Sequence, residues 1–460
     1  MISSFNPSPR LPQNIFVIGL GKVGLGITRF LLKNKIVTYA YDDNINRIHQ
    51  YYLMPYMLDS NFILVHSRQE VLKHLAKTEL VIVSPGIGMN HDLIKLFNKA
   101  QIPIMDEIDF VTQYIKKPII AITGTNGKST TTSLLGRIVL NSTRNCFWGG
   151  NLAPGLCFSW SLMQEPKDYY IIEVSSFQLA RCRTFSPYIA ILLNISHDHL
   201  NWHKSFTEYR NAKFNIFKNQ SSQDFAIVNY DDRTIMNKVK EIKSNVYYFS
   251  TTQKVNGTFI KNNDIFFNNE KICDLSNIIL PGEQYLGSIL AAVCAAKILG
   301  IKNSVIKTTL RSFKGLPHRL EFVAEFNGIK YINNSMCTNP ASAAATLKTF
   351  REPVILITGG KEKNLPLNIY IDAIKEKSKY VVLIGENRTR LYKILKANKY
   401  HNVCLADNLK TAVRKATQIA QYGDIVLFSP GFASFDMFLN FVERGEMYKK
   451  AVFKLIRSCI

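Results

Sequence analysis

Three shortages bound what this chain of 460 residues can be. Cysteine is short of pattern: the eight stand at 146, 157, 182, 273, 294, 337, 404 and 459, and none forms Cys-x-x-Cys. That argues against a zinc ribbon or a disulfide framework and predicts reduced thiols in a cytoplasmic protein. Long apolar runs are missing too. None approaches the roughly 18–20 residues of a membrane span. The start, Met1 to Gln13, has no apolar core of the signal-peptide kind and reads as a frayed terminus. Acidic residues are the third shortage: 34 Asp and Glu against 57 Lys and Arg leave a net charge of +23. An excess of that size suggests nucleic acid. Here the lysines are spread along the chain, no nucleic-acid-binding motif accompanies them, and Asn and Ile are abundant beside them. The charge reads as a compositional bias on a protein with anionic substrates.

What is present is globular. Hydrophobic residues make up 47%, and the length predicts about three domains. Ile15–Ile18, Val37–Tyr41, Phe62–Val65, Leu80–Val83 and Ile102–Ile104 are short apolar runs separated by helix-length or loop segments, a doubly wound α/β pattern. Lys116-Lys117-Pro118 breaks it. A second unit adds strands at Ile119–Thr123, Tyr169–Val174, Ile189–Asn194 and Phe225–Asn229. Thr258–Ile260, Ile265–Phe267 and Lys271–Asp274 read as an antiparallel meander. Leu286–Leu299 reads as a mostly apolar helix. A third unit opens near Lys314-Gly315-Leu316-Pro317, with strands at Tyr331–Ile332, Val354–Thr358, Val381–Ile384, Val403–Leu405 and Ile425–Phe428. The expectation is three α/β domains: a Rossmann-like one over residues 1–115, a central phosphate-loop ATPase-type one over 116–314, and a second Rossmann-like one over 315–460.

The most informative stretch is Ile119 to Thr131. An apolar strand ends in Gly124-Thr125-Asn126-Gly127-Lys128-Ser129-Thr130, and helical spacing of Leu134, Leu135, Ile138 and Val139 follows. Backbone N–H groups and a helix dipole suit a polyphosphate, Lys128 its outer charge, and Ser129 or Thr130 a Mg²⁺ ligand. The loop is shorter than a full Walker A pattern, since Ile122 stands where that pattern needs glycine. In the first unit, Gly19-Leu20-Gly21-Lys22-Val23-Gly24 follows a strand, and Asp42 lies where a Rossmann acid would hold a ribose. Alone, this reads as an NAD-dependent dehydrogenase, or simply as a tight strand-to-helix turn. Ser84-Pro85-Gly86-Ile87-Gly88 is a second glycine loop, and the two could hold a nucleotide-sugar between them.

Glu173 stands near the end of the apolar strand Tyr169–Val174, where an NTP site needs a metal-binding acid. His197, His199 and His203 with Asp198 could make a zinc site of a metallohydrolase; a magnesium-phosphate role fits better beside a phosphate loop. Lys213, on the amphipathic stretch Tyr209–Phe217, is an inward cation or a surface lysine.

These segments together resemble the Mur ligase family: Gly124–Thr130, Glu173–Leu179, Asp198-His199-Leu200 and Ala212-Lys213. Gly149-Gly150-Asn151, Leu316–Glu321 and Ser429–Gly445 extend the resemblance over nearly the whole chain, and Ser429–Gly445 points to the D-glutamate-adding branch. The resemblance implies ATP-driven amide formation in peptidoglycan precursor synthesis, through an acyl phosphate, by a monomer without nucleic-acid partners. ATP and Mg²⁺ are implied, with UDP-N-acetylmuramoyl-L-alanine and D-glutamate as substrates. It implies ATP contacts for Gly124 to Thr130, His318, Arg319 and Asn334. Metal would fall to Ser129, Glu173, His199 and Lys213, the last as a carbamylated lysine, with Lys128 completing the catalytic set. UDP-sugar contacts fall to Gly19, Leu20, Gly21, Lys22, Asp42, Ser84, Gly86 and Asn151. Thr338, Lys363, Ser434 and Phe441 would surround the amino acid.

The chain departs from the family at three places. Asn333-Asn334-Ser335-Met336-Cys337-Thr338-Asn339 carries Asn334 for an Asp and Met336 for a Lys. Gly282–Ser288 lacks the family's His-Asn, and Asn44 replaces an Arg. These changes keep two alternatives open: a related ligase with another acceptor such as L-glutamate, or a nucleotide-binding protein without catalysis.

Overall fold

The computed structural model describes residues 11–45, 50–88, 90–152, 155–197, 202–280, 285–362 and 365–459. The apolar runs become strands of three sheets. In the first, β1 (Asn14–Ile18), β2 (Val37–Tyr41), β3 (Phe62–Leu64), β4 (Leu80–Val83) and β5 (Ile104–Asp106) lie in the order β3-β2-β1-β4-β5, all parallel. A parallel sheet needs cover on both faces, so its centre is apolar on both: Ile15, Phe16, Val17 and Ile18 are fully buried. The order reverses between β1 and β4. The crevice beyond their carboxyl ends is where such sheets bind ligands, and both glycine loops sit there.

The second sheet comprises β6 (Ile119–Thr123), β7 (Cys146–Gly150), β8 (Tyr169–Glu173), β9 (Ile189–Leu192), β10 (Phe225–Asn229), β11 (Asn245–Ser250), β12 (Gly257–Lys261), β13 (Asp264–Phe267) and β14 (Glu270–Asp274). Their order is β14-β13-β12-β11-β10-β9-β6-β8-β7. β12 to β14 form the expected antiparallel meander at one edge. β6 lies between β8 and β9, all three parallel, with Ile122 opposite Glu173 and Thr123 opposite Leu192. That register brings the phosphate loop, Glu173 and the turn after β9 to one edge. The first two sheets share a hydrophobic core running from Ile15, Ile27 and Phe110 to Ile172, Leu192 and Val228.

The chain divides into two compact units. One runs to Ile278 and resumes over Tyr285–Arg311; the other takes the short stretch from Ile279 and then Ser312–Ile460. The second unit holds β15 (Glu321–Phe326), β16 (Ile329–Asn333), β17 (Val354–Gly359), β18 (Ser378–Ile384), β19 (Val403–Leu405) and β20 (Ile425–Phe428), in the order β15-β16-β20-β17-β18-β19. Only β15 runs antiparallel to its neighbour among these. Alternate residues of β17 feed separate cores, Leu356 into one and Ile355 and Ile357 into the other. Among the described residues, no helix is long and apolar enough to cross a membrane.

The strand expected at Ile102–Ile104 lies two residues further on. Pro103 has no N–H to give a ladder, so pairing starts after it, while its carbonyl accepts from Val81 N at 2.8 Å. β7, β11 and β15 are additional to the expected set. The helix after the phosphate loop begins at Lys128 itself and ends at Asn141. The apolar helix predicted from Leu286 spans Leu286–Ile298, and Ser288 on it donates to Gly127 O at 3.4 Å. The stretch from Tyr209 to Phe217 is the end of a helix, Phe206–Phe214, and one 3₁₀ turn.

Candidate active site

The phosphate loop owes its shape to two glycines. Gly124 has φ +152, and a Cβ on it would meet Leu193 Cβ at 2.9 Å; Gly127 has φ +85, and its Cβ would meet Ser288 Oγ at 2.5 Å. Both positions combine a left-handed or otherwise restricted backbone with a wall against the side-chain direction. Gly127 is the N-cap of the helix Lys128–Asn141. The first bond inside that helix is Thr131 N to Gly127 O, at 3.0 Å. Its N–H end and dipole therefore face the loop, the arrangement that suits a phosphate.

Two asparagines clamp the loop's tip. Asn126 N donates to Asn194 Oδ1 at 2.8 Å, and Asn194 Nδ2 donates back to Asn126 O at 3.0 Å. Thr125 N donates to Asn194 O at 2.9 Å, and Thr125 Oγ1 lies 3.0 Å from the Tyr209 hydroxyl. Asn194 and Tyr209 carried no role in the sequence reading. Each had a signal: Asn194 follows the apolar run of β9, and Tyr209 stands four residues before Lys213, one helical turn away.

Charge gathers behind the tip. Lys128 Nζ donates to Gly124 O at 3.0 Å and to Thr125 O at 2.9 Å. Lys213, 2% exposed, donates to the same Gly124 O at 2.8 Å, with its ammonium 4.7 Å from the Tyr209 ring centre. Lys213 is thus an inward cation. Glu173 is likewise buried. Ser129 Oγ donates to its Oε2 at 2.6 Å, and Asn151 Nδ2 to its Oε1 at 3.3 Å. Thr130 is buried in the first turn of the helix. A hydroxyl and a carboxylate this close are hard oxygen donors of the kind Mg²⁺ takes.

His199 lies outside the described residues, as do Asp198 and Leu200. His203 is fully buried, its Nε2 3.0 Å from Ser176 Oγ and its ring stacked on Phe177; His197 stacks on Phe206. Among the described residues, no three His, Cys, Asp or Glu side chains converge as a metal set.

In the first sheet the two glycine loops are tied together. Ser84 Oγ donates to Gly19 O at 2.7 Å. Asp42 accepts from Leu20 N at 2.7 Å and from Asn44 N at 2.8 Å, so its carboxylate braces the loop it follows. Gly21, Lys22 and Gly86 are exposed at the same edge.

In the second unit, Thr338, Ser434 and Phe441 come from three segments that bond to one another. Ser335 Oγ donates to Phe441 O at 2.7 Å and Gly431 N to Cys337 O at 3.0 Å. Ser434 is buried, Thr338 is half-buried, and Lys363 lies outside the described residues. Arg444, 1% exposed, locks these segments: it donates to Phe432 O at 2.9 Å, Ser335 O at 2.8 Å and Ser335 Oγ at 3.2 Å. Burial pulls its guanidinium down to about 10. Asn334 accepts from Leu320 N at 3.2 Å and donates to Thr346 Oγ1 at 3.2 Å and Ser429 Oγ at 3.1 Å. Its amide is used inside the unit. His318 is buried with φ +63, 3.1 Å from Asn333 Nδ2. Burial lowers its pKa, against the opposing pull of Glu321. Arg319 beside it is half-buried.

Family models match in chain order: a Mur ligase MurD-like N-terminal domain over residues 13–106, a Mur ligase middle domain over 122–296, and a Mur ligase glutamate ligase domain over 318–432. A UDP-N-acetylmuramoylalanine–D-glutamate ligase from Caldanaerobacter subterraneus subsp. tengcongensis is 37% identical over 450 residues, covering 97% of this chain and 99% of that relative. One of the same name from Pelotomaculum thermopropionicum is 36% identical, with 96% and 98% covered. Among solved structures, the UDP-N-acetylmuramate-alanine ligase MurC of Thermotoga maritima shares the fold at a TM-score of 0.58 and 16% identity, covering 96% of this chain and 99% of that one. A pseudomurein peptide ligase type C from Methanothermus fervidus does so at 0.54 and 20%, with 96% and 100% covered. With domain models across most of its length and relatives aligned end to end, this chain belongs to the Mur ligase family.

Proposed function

We propose that the chain is a UDP-N-acetylmuramoylalanine–D-glutamate ligase (MurD), adding D-glutamate to UDP-N-acetylmuramoyl-L-alanine at the expense of ATP in peptidoglycan precursor synthesis. The observation that carries it is the phosphate loop's surroundings: Lys128 and Lys213 on Gly124 O, and Ser129 on Glu173, at one sheet edge. The relatives' names supply the acceptor and donor. A nicotinamide dehydrogenase would leave this loop without a role, and a scaffold would not need its cations and acid together.

In this reading the donor's carboxylate attacks the γ-phosphorus of ATP, and ADP leaves. The amine of D-glutamate attacks the acyl phosphate carbonyl, inorganic phosphate leaves, and an amide remains. Lys128 and the helix N-terminus hold the phosphates and offset the charge on the transferring oxygens. Gly124, Thr125, Asn126, Gly127 and Thr130 line the same loop. Ser129, Glu173 and His199 would hold Mg²⁺, which supplies further charge neutralisation. Lys213 joins them if carbamylated, which turns its ammonium into an anionic ligand. His318, Arg319 and Asn334 complete the ATP contacts. The UDP-sugar lies along Gly19, Leu20, Gly21, Lys22, Asp42, Ser84, Gly86 and Asn151, and the amino acid among Thr338, Lys363, Ser434 and Phe441. We assign residues 1–115, 116–314 and 315–460 to the three binding roles, in a monomer working in the cytoplasm.

The test is phosphate release from Mg-ATP with UDP-N-acetylmuramoyl-L-alanine, adding D- or L-glutamate in parallel. Release that needs D-glutamate is the expected result. Dependence on L-glutamate would reassign the acceptor, and Asn334 and Met336 would be the first residues to exchange. Release with neither would leave ligation unsupported.

A further inference from the structure

Asn194 follows β9 and lies against the phosphate loop: a Cβ on Gly124 would stand 3.3 Å from Asn194 N. The turn it occupies is fixed on both sides. Leu193 N donates to Thr123 O at 3.0 Å, which ties the turn to β6. Asn229 Nδ2 donates to Leu193 O at 3.0 Å, and Ile195 N donates to Asp232 Oδ2 at 2.8 Å. The Asn194 side chain therefore reaches the loop from a rigid base.

What it does there depends on its being an amide. Oδ1 accepts from the Asn126 N–H and Nδ2 donates to the Asn126 carbonyl, so one side chain takes both backbone polar groups of one residue. A carboxylate could accept but not donate. Turning the amide over would set N–H against N–H and carbonyl against carbonyl, which fixes its orientation. The Asn194 carbonyl also accepts from Thr125 N, at 2.9 Å. The N–H groups of Thr125 and Asn126 are thus both committed to Asn194. The carbonyls of the tip are committed as well: Gly124 O to Lys128 and Lys213, Thr125 O to Lys128, and Asn126 O to Asn194. A carbonyl oxygen facing a phosphate repels it, so holding these oxygens on donors suits the tip to an anion. The phosphates then fall to the N–H end of the helix Lys128–Asn141, whose first internal bond is Thr131 N to Gly127 O.

We infer that Asn194 is a positioning residue for phosphoryl transfer. It sets the loop tip before nucleotide arrives, and it assigns the phosphates to the helix end in place of the Thr125 and Asn126 N–H groups. This rests on the proposed ATP site and is independent of the acceptor. A tip ordered in advance binds without further loss of freedom. A tip ordered only part of the time binds with its affinity reduced by that fraction. The amide bonds lie at an exposed tip, so their share in overall stability is small.

Two measurements on the full chain test this. Amide hydrogen exchange, followed residue by residue with and without Mg-ADP, needs no variant. Thr125 and Asn126 should be protected to the same degree in both states, while Gly127 and Thr130 slow when ADP is added. Rapid exchange at Thr125 and Asn126 that ADP suppresses would overturn the inference, because those N–H groups would then serve the phosphate. No ADP effect anywhere in the loop would sink the nucleotide reading itself, and this inference with it. Asn194→Ala supplies the second measurement. KM for ATP should rise about tenfold, with kcat, KM for the UDP-sugar and the denaturation midpoint close to wild type. A residue needed only for the fold would move the midpoint and both KM values together. An unchanged KM for ATP, in a preparation whose wild type turns over, would overturn the positioning role while leaving the ligase reading intact.

Discussion

Lys128 and Lys213 reach the same carbonyl oxygen, at 3.0 and 2.8 Å. Two ammonium groups brought that close repel, and a polyphosphate at the loop relieves the repulsion. Lys128→Ala should therefore lower kcat/KM for ATP by roughly 10²–10³-fold, the scale for removing one donor to a developing charge. Its fold should survive, because Lys128 is the first residue of its helix and only half-buried. Phosphate release and far-UV circular dichroism measure the two halves; normal turnover would dismiss the site assignment. Asp106 gives a prediction of opposite kind. Its carboxyl titrates at about 8 in the folded chain and near 4 when unfolded. Between those values folding takes up a proton, so stability is fully present below about pH 4 and is lost as pH rises towards 8. Asp106→Asn keeps an oxygen for Ile108 N and should flatten that decline, which is at most about 1.4 kcal/mol per pH unit for one group. Denaturant midpoints across mildly acidic to mildly alkaline pH decide it, and parallel profiles for the two proteins would count against the buried acid.

At the scale of elements, Gly127 joins backbone and packing. An alanine there must keep φ +85 and meet Ser288 Oγ at 2.5 Å. Gly127→Ala should cost about 1–3 kcal/mol of stability and weaken ATP binding together, since the loop and the helix Leu286–Ile298 share the contact. Equilibrium denaturation and ATP titration check both; a stable variant with full affinity would mean that the loop relaxes freely. Most strands were legible because buried parallel strands read as continuous apolar runs. β7 was not, because Cys146–Gly150 ends in two glycines, and β15 was not, because Glu321–Phe326 is only partly buried along its length. β11, Asn245–Ser250, carries the run Val246–Phe249 of strand-favouring residues, a signal that the sequence reading passed over.

For the whole molecule, charge is the feature that touches every step. A net charge of +23 spread along the chain meets substrates that are all anions. Long-range attraction raises their encounter rate and is screened within roughly 10 Å at ~0.1 M salt. Raising NaCl should therefore increase KM for ATP and for the UDP-sugar several-fold, with kcat moving less. Steady-state kinetics across a salt series measures this. An unchanged KM would confine the relevant electrostatics to Lys128 and Lys213, whose close bonds within the loop are screened far less.

What the sequence by itself determined is local. Strand, glycine loop, lysine and helix follow one another in Ile119–Asn141, and neighbouring residues largely dictate such order. The motifs Glu173–Leu179 and Ser429–Gly445 likewise carried the family. What only the tertiary structure decided are pairings between distant residues. Asn194 meets Asn126 across 68 positions, and Arg444 meets Ser335 across 109. The use of Asp42 on Leu20 N and of Asn334 on Ser429 belongs to the same class. No periodicity records these contacts. They exist because packed sheets bring loop ends together, and each buried polar group must then find a partner among whatever arrives beside it.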